Sequence, residues 1–288
     1  MDMLTPARRL IAVDLDDTLL KPDGTISPGN ASAVARLTAE GVVVVLASGR
    51  MHQDTAKYCA PLGISGPVIS YNGAMVRDSD GGRTYHHLTV PAEDAAAVVR
   101  FAQQNGYHLN YYLDDVLYIK EHTPWSELYC SRTGSDATAV GDLTQFDGCR
   151  PTKLIIVDTP EETDRLLAHF RAELGRRLYI TKSKPEYLEF MNREASKAEG
   201  LKVLGRCLGI DRSQMVAVGD SYNDVSMLQY AGLGIAMADG VPEAKAAADL
   251  IAPPCAEDGF AAVVQRLLSS GWDLAGLAHG RRPGQTSR

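Results

Sequence analysis

Apolar residues in this chain fall into two patterns that alternate along its length. Short unbroken runs occupy Leu10–Val13, 42–47, 68–71, Met215–Gly219 and Leu233–Met237, and most are rich in Val, Ile and Ala. Runs of this kind predict strands covered on both faces. Between them the spacing lengthens to three or four residues. Ser27 reads as an N-cap, Pro28 as the first helical position, Val34 and Leu37 as an apolar stripe and Gly41 as the stop. Further helices are expected over 51–62, from the capping box Ser196-x-x-Glu199 to Gly209, over 223–230, and after Asp239 with Pro242 in the first turn. An edge strand is expected at 249–252. Strand and helix in alternation imply a parallel sheet with right-handed crossovers.

The pattern breaks after Asn72-Gly73. Asp78-Ser79-Asp80-Gly81-Gly82 reads as a turn, Pro91 opens a helix that stops near Gly106, and Asp114-Asp115 separates two strand-like pieces as a hairpin would. Lys153–Val157 is a strand leading into Thr159-Pro160-Glu161-Glu162, a second capping box, with Leu166, Leu167, Phe170 and Leu174 on one helical face. Strands follow near 177–181 and 187–191. This is an α+β module inserted into an α/β domain with a doubly wound, Rossmann-like parallel sheet. The expected division is a discontinuous core of 1–82 and 189–274, a module of 83–188, and a disordered tail over 275–288.

Composition narrows the class. With 288 residues, 45% hydrophobic and 23% charged, the chain can bury a sizeable core, and two domains are expected. A net charge of −7 speaks against a nucleic-acid surface but not against small phosphorylated ligands, since one metal ion and one lysine reverse the local potential. The five cysteines, at 59, 130, 149, 207 and 255, form no C-x-x-C pair and read as reduced thiols. No apolar run reaches the length of a membrane span, and no signal-peptide segment opens the chain, so a cytoplasmic location is expected.

The chemistry concentrates in four stretches. Asp14-Leu15-Asp16-Asp17-Thr18 follows the first strand, at the carboxyl end where open parallel sheets bind ligands. Two carboxylates there, two apart in extended chain and so expected on one face, suit a nucleophile and an acid; alone, the same D-x-D reads equally well as an aspartate-rich turn. Ser48-Gly49-Arg50 offers a hydroxyl and free N–H groups to a phosphate, or a plain N-cap. Lys197 stands in the first turn of its helix, where the dipole disfavours a cation, so it answers an anion or is simply solvated. In Gly219-Asp220-Ser221-Tyr222-Asn223-Asp224 the spacing sets Asp220, Asn223 and Asp224 on one side of a strand-to-helix turn. Carboxylates gathered together repel, and a hard cation such as Mg²⁺ is their natural partner. The histidines at 52, 86, 87, 108, 122, 169 and 279 show no ligand spacing; His52 lies nearest the site. Tyr111, Tyr112, Tyr118 and Trp125 read as packing of the inserted module.

In this order the four stretches resemble the haloacid dehalogenase superfamily of phosphotransferases, with its D-x-D-x-T, hydroxyl-Gly-Arg, lysine and G-D-x-x-N-D signatures. Asp14 to Leu20, Tyr71-Asn72-Gly73-Ala74, Gly234-Ile235-Ala236-Met237 and Asp258-Gly259 further resemble its Cof-type sugar-phosphatase branch, and the likeness spans about 10–265. The resemblance implies a Mg²⁺-dependent phosphatase of small phosphorylated metabolites, sugar phosphates above all, working through an aspartyl-phosphate. Asp14 would be the nucleophile and a metal ligand. Asp16 would be the general acid and base, with its backbone carbonyl on the metal. Ser48, Gly49, Lys197 and Asn223 would hold the phosphoryl oxygens, Asp220 would bind the metal and Asp224 would support it. The inserted module would be a mobile cap. Asp17, Ser48 and Asp239-Gly240 stand where the branch commonly has glycine, threonine, and asparagine with a small residue. A phosphomutase on the same core, or a non-catalytic sugar-phosphate sensor, are the alternatives; neither a membrane nor a nucleic acid is an expected partner.

Overall fold

The computed structural model describes residues 8–279, which form two compact units. The first comprises residues up to Gly49, Thr55–Tyr85 and the chain from Ser196 onward; the second comprises Arg50–Asp54 and His86–Ala195.

The first unit is built on a parallel five-stranded sheet. Its spatial order is Leu250–Ala252, Leu233–Met237, Met215–Gly219, Leu10–Val13, Val43–Leu46, and Ala47 bridges in parallel to Ile69 of the next strand, Pro67–Ser70. Alternating side chains supply two cores. Ile11, Val13, Val44, Leu46, Val216 and Val218 pack with the helices Pro28–Ala39 and Gly259–Ser269. Leu10, Ala12, Val45 and Ala217 pack with the helices Lys197–Leu208 and Val225–Tyr230. Both faces are covered, which is why these strands read as unbroken apolar runs.

The second unit carries a six-stranded, mostly antiparallel sheet in the order Leu178–Lys184, Tyr187–Asn192, Lys153–Val157, His108–Leu113, Val116–Ile119, Ala137–Ala139. The helices Ala92–Asn105 and Pro160–Leu174 supply Val98, Val99, Leu166 and Phe170 to one face, against Leu109, Leu154, Ile156, Leu188 and Phe190. The opposite face bears Asn110, Tyr112, Lys153 and Glu189, set by register: Tyr112 opposes Lys153, and Asn110 and Glu189 both oppose Ile155. Tyr129, from the helix Pro124–Thr133, meets Tyr187 on this face at 5.2 Å between ring centres.

Several local expectations shift. The helix expected over 51–62 divides into His52–Ala56 and a single turn at Ala60–Leu62, because Pro61 removes the donor that a continuous helix needs. Tyr187–Asn192 lies wholly in the second unit, since it pairs with strands of that unit on both sides. The short helix Leu274–His279 runs into the span expected as tail, with Leu277 against the core; residues 280–288 lie outside the described residues. No helix among the described residues is long and apolar enough to cross a membrane.

Candidate active site

Two strands distant in sequence run side by side and open the site. Leu10–Val13 pairs in parallel with Met215–Gly219, with Leu10 opposite Met215 and Val13 opposite Val218, and the N–H of Asp14 donates to Val218 O at 2.9 Å. The chain therefore leaves the sheet at Asp14 and Asp220 from neighbouring positions, at the carboxyl ends of both strands. One oxygen each of Asp14, Asp220 and Asp224 lies within 4.8 Å of the others. Lys197 reaches into this group, its Nζ 2.5 Å from Oδ1 of Asp14 and 2.6 Å from Oδ1 of Asp224, and is fully buried.

The turn after Gly219 is shaped by Asp224. Its Oδ1 takes the lysine, and its Oδ2 accepts the backbone N–H groups of Asp220 and Ser221, each at 2.9 Å. A Cβ on Gly219 would stand 2.5 Å from the Asp224 carboxyl carbon, so the close return of this side chain requires glycine there. The helix consequently starts at Val225 rather than at 223. With both oxygens of Asp224 engaged, the oxygens left without a protein donor among the described residues are Oδ2 of Asp14 and Oδ2 of Asp220; Oδ1 of Asp220 accepts from Thr18 Oγ1 at 2.9 Å.

Three carboxylates face one ammonium. Burial, and after it the charge of Asp224, holds the Asp14 carboxyl well above its ordinary range. The same two causes raise Asp220 to about 6. Burial alone would lower the Lys197 ammonium, but Asp14 and Asp224 outweigh it and hold the proton more tightly than usual. A divalent cation between Asp14 and Asp220 would relieve the uncompensated charge, and oxygen donors alone suit a hard ion such as Mg²⁺.

The remaining expected residues fall nearby, with differences. The first strand ends at Val13, and Thr18, Leu19 and Leu20 donate their N–H groups back to Leu15 O, so Asp16 stands exposed on a turn rather than on the strand face shared with Asp14. It lies outside the three-carboxylate group, though still close enough for its charge to raise Asp14. Ser48 is pinned on both sides, its N–H donating to Ile69 O at 2.9 Å and its carbonyl accepting from Asn72 N at 3.0 Å. Asn223 donates through Nδ2 to Oδ1 of Asn72 at 2.9 Å, and its own buried Oδ1 has no partner among the described residues.

Asn72 is the residue that motif reasoning left without a role. It adopts φ 54°, and its Oδ1 is 2.8 Å from where a Cβ on Gly49 would lie, so it joins the Ser48-Gly49 and Asn223 stretches. The signal was present: an Asn-Gly pair directly after an apolar run marks a left-handed turn. Gly73 beside it is required by proximity, since a Cβ there would lie 1.9 Å from Ser196 O, at the start of the Lys197 helix. That helix is capped by Ser196 Oγ accepting from Glu199 N at 3.1 Å.

Comparison with known proteins identifies the family. Residues 11–264 match the family of haloacid dehalogenase-like hydrolases. Phosphatase YwpJ of Bacillus subtilis is 29% identical, over 90% of this chain and 100% of its own length. The 5-amino-6-(5-phospho-D-ribitylamino)uracil phosphatase YitU of the same organism is also 29% identical, over 90% and 97%. The crystal structure of a haloacid dehalogenase-like hydrolase from Bacteroides thetaiotaomicron superposes with a TM-score of 0.84 at 26% identity, covering 90% of this chain and 99% of that one. The protein belongs to the haloacid dehalogenase-like hydrolase family.

Proposed function

We propose that this protein is a Mg²⁺-dependent phosphatase of small phosphorylated metabolites, sugar phosphates foremost, acting through an aspartyl-phosphate on Asp14. The observation that carries the reading is the convergence of Asp14, Lys197, Asp220 and Asp224, from three separate stretches, at one point where all but Asp220 are buried. Relatives named as phosphatases over nearly the whole chain support the same reaction class.

In this reading a carboxylate oxygen of Asp14 attacks phosphorus, and the bond from phosphorus to the leaving alcohol breaks as Asp16 gives that oxygen a proton. Asp16 then takes a proton from water, whose oxygen attacks the phosphorus of the acyl phosphate, releasing phosphate and restoring Asp14. The exposed position of Asp16 suits proton exchange with both alcohol and water. Ser48, Gly49, Lys197 and Asn223 hold the phosphoryl oxygens. Asp14 and Asp220, with the backbone carbonyl of Asp16, would hold Mg²⁺, which when bound neutralises the phosphoryl charge. Asp224 keeps Lys197 and the Asp220 turn in place.

The test is hydrolysis of p-nitrophenyl phosphate with and without chelator, followed by a panel of phosphorylated metabolites with free phosphate as the readout. Activity that depends on Mg²⁺ and disappears in Asp14→Asn is expected. Undiminished turnover by Asp14→Asn would overturn the reading.

A further inference from the structure

Two carboxylates beside the three-carboxylate group stand outside it. Asp17 and Asp239 are both exposed, and neither has an ion pair among the described residues. Each is nevertheless held close to Asp220. Asp17 precedes Thr18, whose Oγ1 donates to Oδ1 of Asp220 at 2.9 Å. Asp239 precedes Gly240 and Val241. Val241 N donates to the Asp220 carbonyl at 2.8 Å, and a Cβ on Gly240 would stand 2.6 Å from the same oxygen. Cys255 joins the two segments: its N–H donates to Oδ2 of Asp239 at 3.0 Å, and its thiol lies 3.3 Å from Leu20 O and 3.6 Å from Thr18 O. All of these residues belong to the first unit.

The two charges act on their neighbours. Burial, and after it Asp239, Asp17 and Asp220, push the Cys255 thiol up to about 11. Asp17 is also among the charges that raise Asp220. Lys21 opposes them at Cys255, but its ammonium already faces Oδ1 of Asp258 at 3.8 Å. Neither segment needs aspartate for its shape. Asp17 sits at φ 59°, where glycine is unstrained and asparagine is tolerated. An asparagine at 239 would still accept from Cys255 N through its amide oxygen. What aspartate adds at both positions is negative charge beside Asp220.

We propose that Asp17 and Asp239 tighten the hold of the Asp14 and Asp220 site on its divalent cation through their charge alone, without ligating it. The proposal rests on the reading of Asp14 and Asp220 as Mg²⁺ ligands. Charges at exposed positions act largely through water, so each is worth a few-fold in affinity and is screened by salt. The same charges repel an anion, so their effect on phosphate has the opposite sign.

The test is calorimetric titration of chelator-treated protein with MgCl₂, without substrate, at low ionic strength and at about 0.5 M KCl. At low salt Asp17→Asn and Asp239→Asn should each weaken Mg²⁺ binding by about twofold to fourfold, and the double variant by about the product. Asp17→Gly should match Asp17→Asn, since both lose the same charge. At high salt every variant should come within about twofold of wild type. With Mg²⁺ saturating, the inhibition constant of inorganic phosphate should stay level or fall, whereas a distorted site would weaken both ligands. Wild-type Mg²⁺ affinity in the double variant at low salt would overturn the proposal and leave the phosphatase reading standing. So would a loss that persists undiminished at high salt. A wild-type protein that binds no Mg²⁺, or that binds it equally well as Asp220→Asn, would overturn the metal reading and the proposal with it.

Discussion

The Nζ atom of Lys197 lies 2.5 Å from Oδ1 of Asp14, a residue 183 positions earlier in the chain, with neither side chain more than 7% exposed. The contact places a cation against the proposed nucleophile, and the same ammonium satisfies Asp224. Removing it would leave two buried carboxylates without a counter-charge, a change that typically costs about 3–5 kcal/mol. Lys197→Met is therefore expected to lower the urea midpoint markedly and to remove activity. Lys197→Arg should not rescue it, since a planar fork does not fit the space of an ammonium held at 2.5 and 2.6 Å by two acids. A Lys197→Met protein as stable as wild type would show that this charge balance has been misread.

Asp14→Asn separates chemistry from stability. It deletes the nucleophilic oxygen, so hydrolysis should be abolished. It also removes one of three clustered negative charges, and the Asp14 carboxyl is held above its ordinary range by burial and by Asp224. A group whose ionised form is disfavoured in the folded state destabilises the protein at neutral pH. The chelated Asp14→Asn protein should thus melt above the chelated wild type at pH 7.5 while being inactive. A lower melting temperature would mean that the Lys197 contact outweighs the repulsion.

Much of this site was legible because it is made of strand ends. An unbroken apolar run ending in aspartate, found twice, fixes both where a carboxylate emerges and at which end of the sheet. That Leu10–Val13 and Met215–Gly219 are neighbours is a matter of topology, and one chain's residue pattern does not carry strand order. The side of the turn on which Asp16 lies was likewise hidden, because alternation applies only while the chain is extended and the strand stops at Val13. In the second unit, the helix Pro124–Thr133 was missed: its apolar residues show no clear stripe, and it is announced chiefly by Thr123 and Pro124 at its start. Lys153 and Glu189 gave no sign of burial, since charged residues in strands usually mark a solvent-facing side.

Asn72 ties the Ser48-Gly49 stretch to Asn223, and its backbone sits at positive φ. Two substitutions divide these roles. Asn72→Gly keeps the backbone conformation and removes the amide, so KM for an aryl phosphate should rise several-fold with little change in melting temperature. Asn72→Ala removes the amide and adds left-handed strain of roughly 1–2 kcal/mol. Kinetics alike in the two variants, with alanine the less stable, are expected. Wild-type KM in Asn72→Gly would exclude the amide from holding Asn223 in a working position.

Lys153 and Glu189 form a buried pair in the second unit, 2% and 5% exposed at the side chain and 3.9 Å apart. Burial lowers the Lys153 ammonium against the opposing pull of Glu189 and Asp54. At that distance the pair is not a good hydrogen bond, and Glu189 Oε2 has no hydrogen-bond partner among the described residues. Lys153→Met should cost about 3–5 kcal/mol by stranding the Glu189 charge, Glu189→Gln should cost less because Asp54 still acts on Lys153, and Lys153→Met with Glu189→Gln should recover most of the Lys153→Met loss. Urea unfolding of the two single variants and the double variant measures this coupling directly. Additive losses would show that the two charges do not depend on each other.

Protons and the metal ion should compete for Asp220. Its carboxyl titrates at about 6, raised by burial and then by Asp224; an unfolded chain has it near 3.9. The folded state thus favours the protonated form. In metal-free protein the contribution of this group is fully present below about 3.9 and is lost as pH rises through about 6. At pH 7.5 the site carries its full repulsion, which Mg²⁺ would relieve. At pH 5 most molecules hold a proton there, and the apparent affinity for Mg²⁺ should be about tenfold weaker from this group alone. The rise in melting temperature on adding Mg²⁺ to chelated protein should therefore be larger at pH 7.5 than at pH 5, and small at either pH in Asp220→Asn. A Mg²⁺ effect that is independent of pH, or that persists in Asp220→Asn, would place the ion away from these carboxylates.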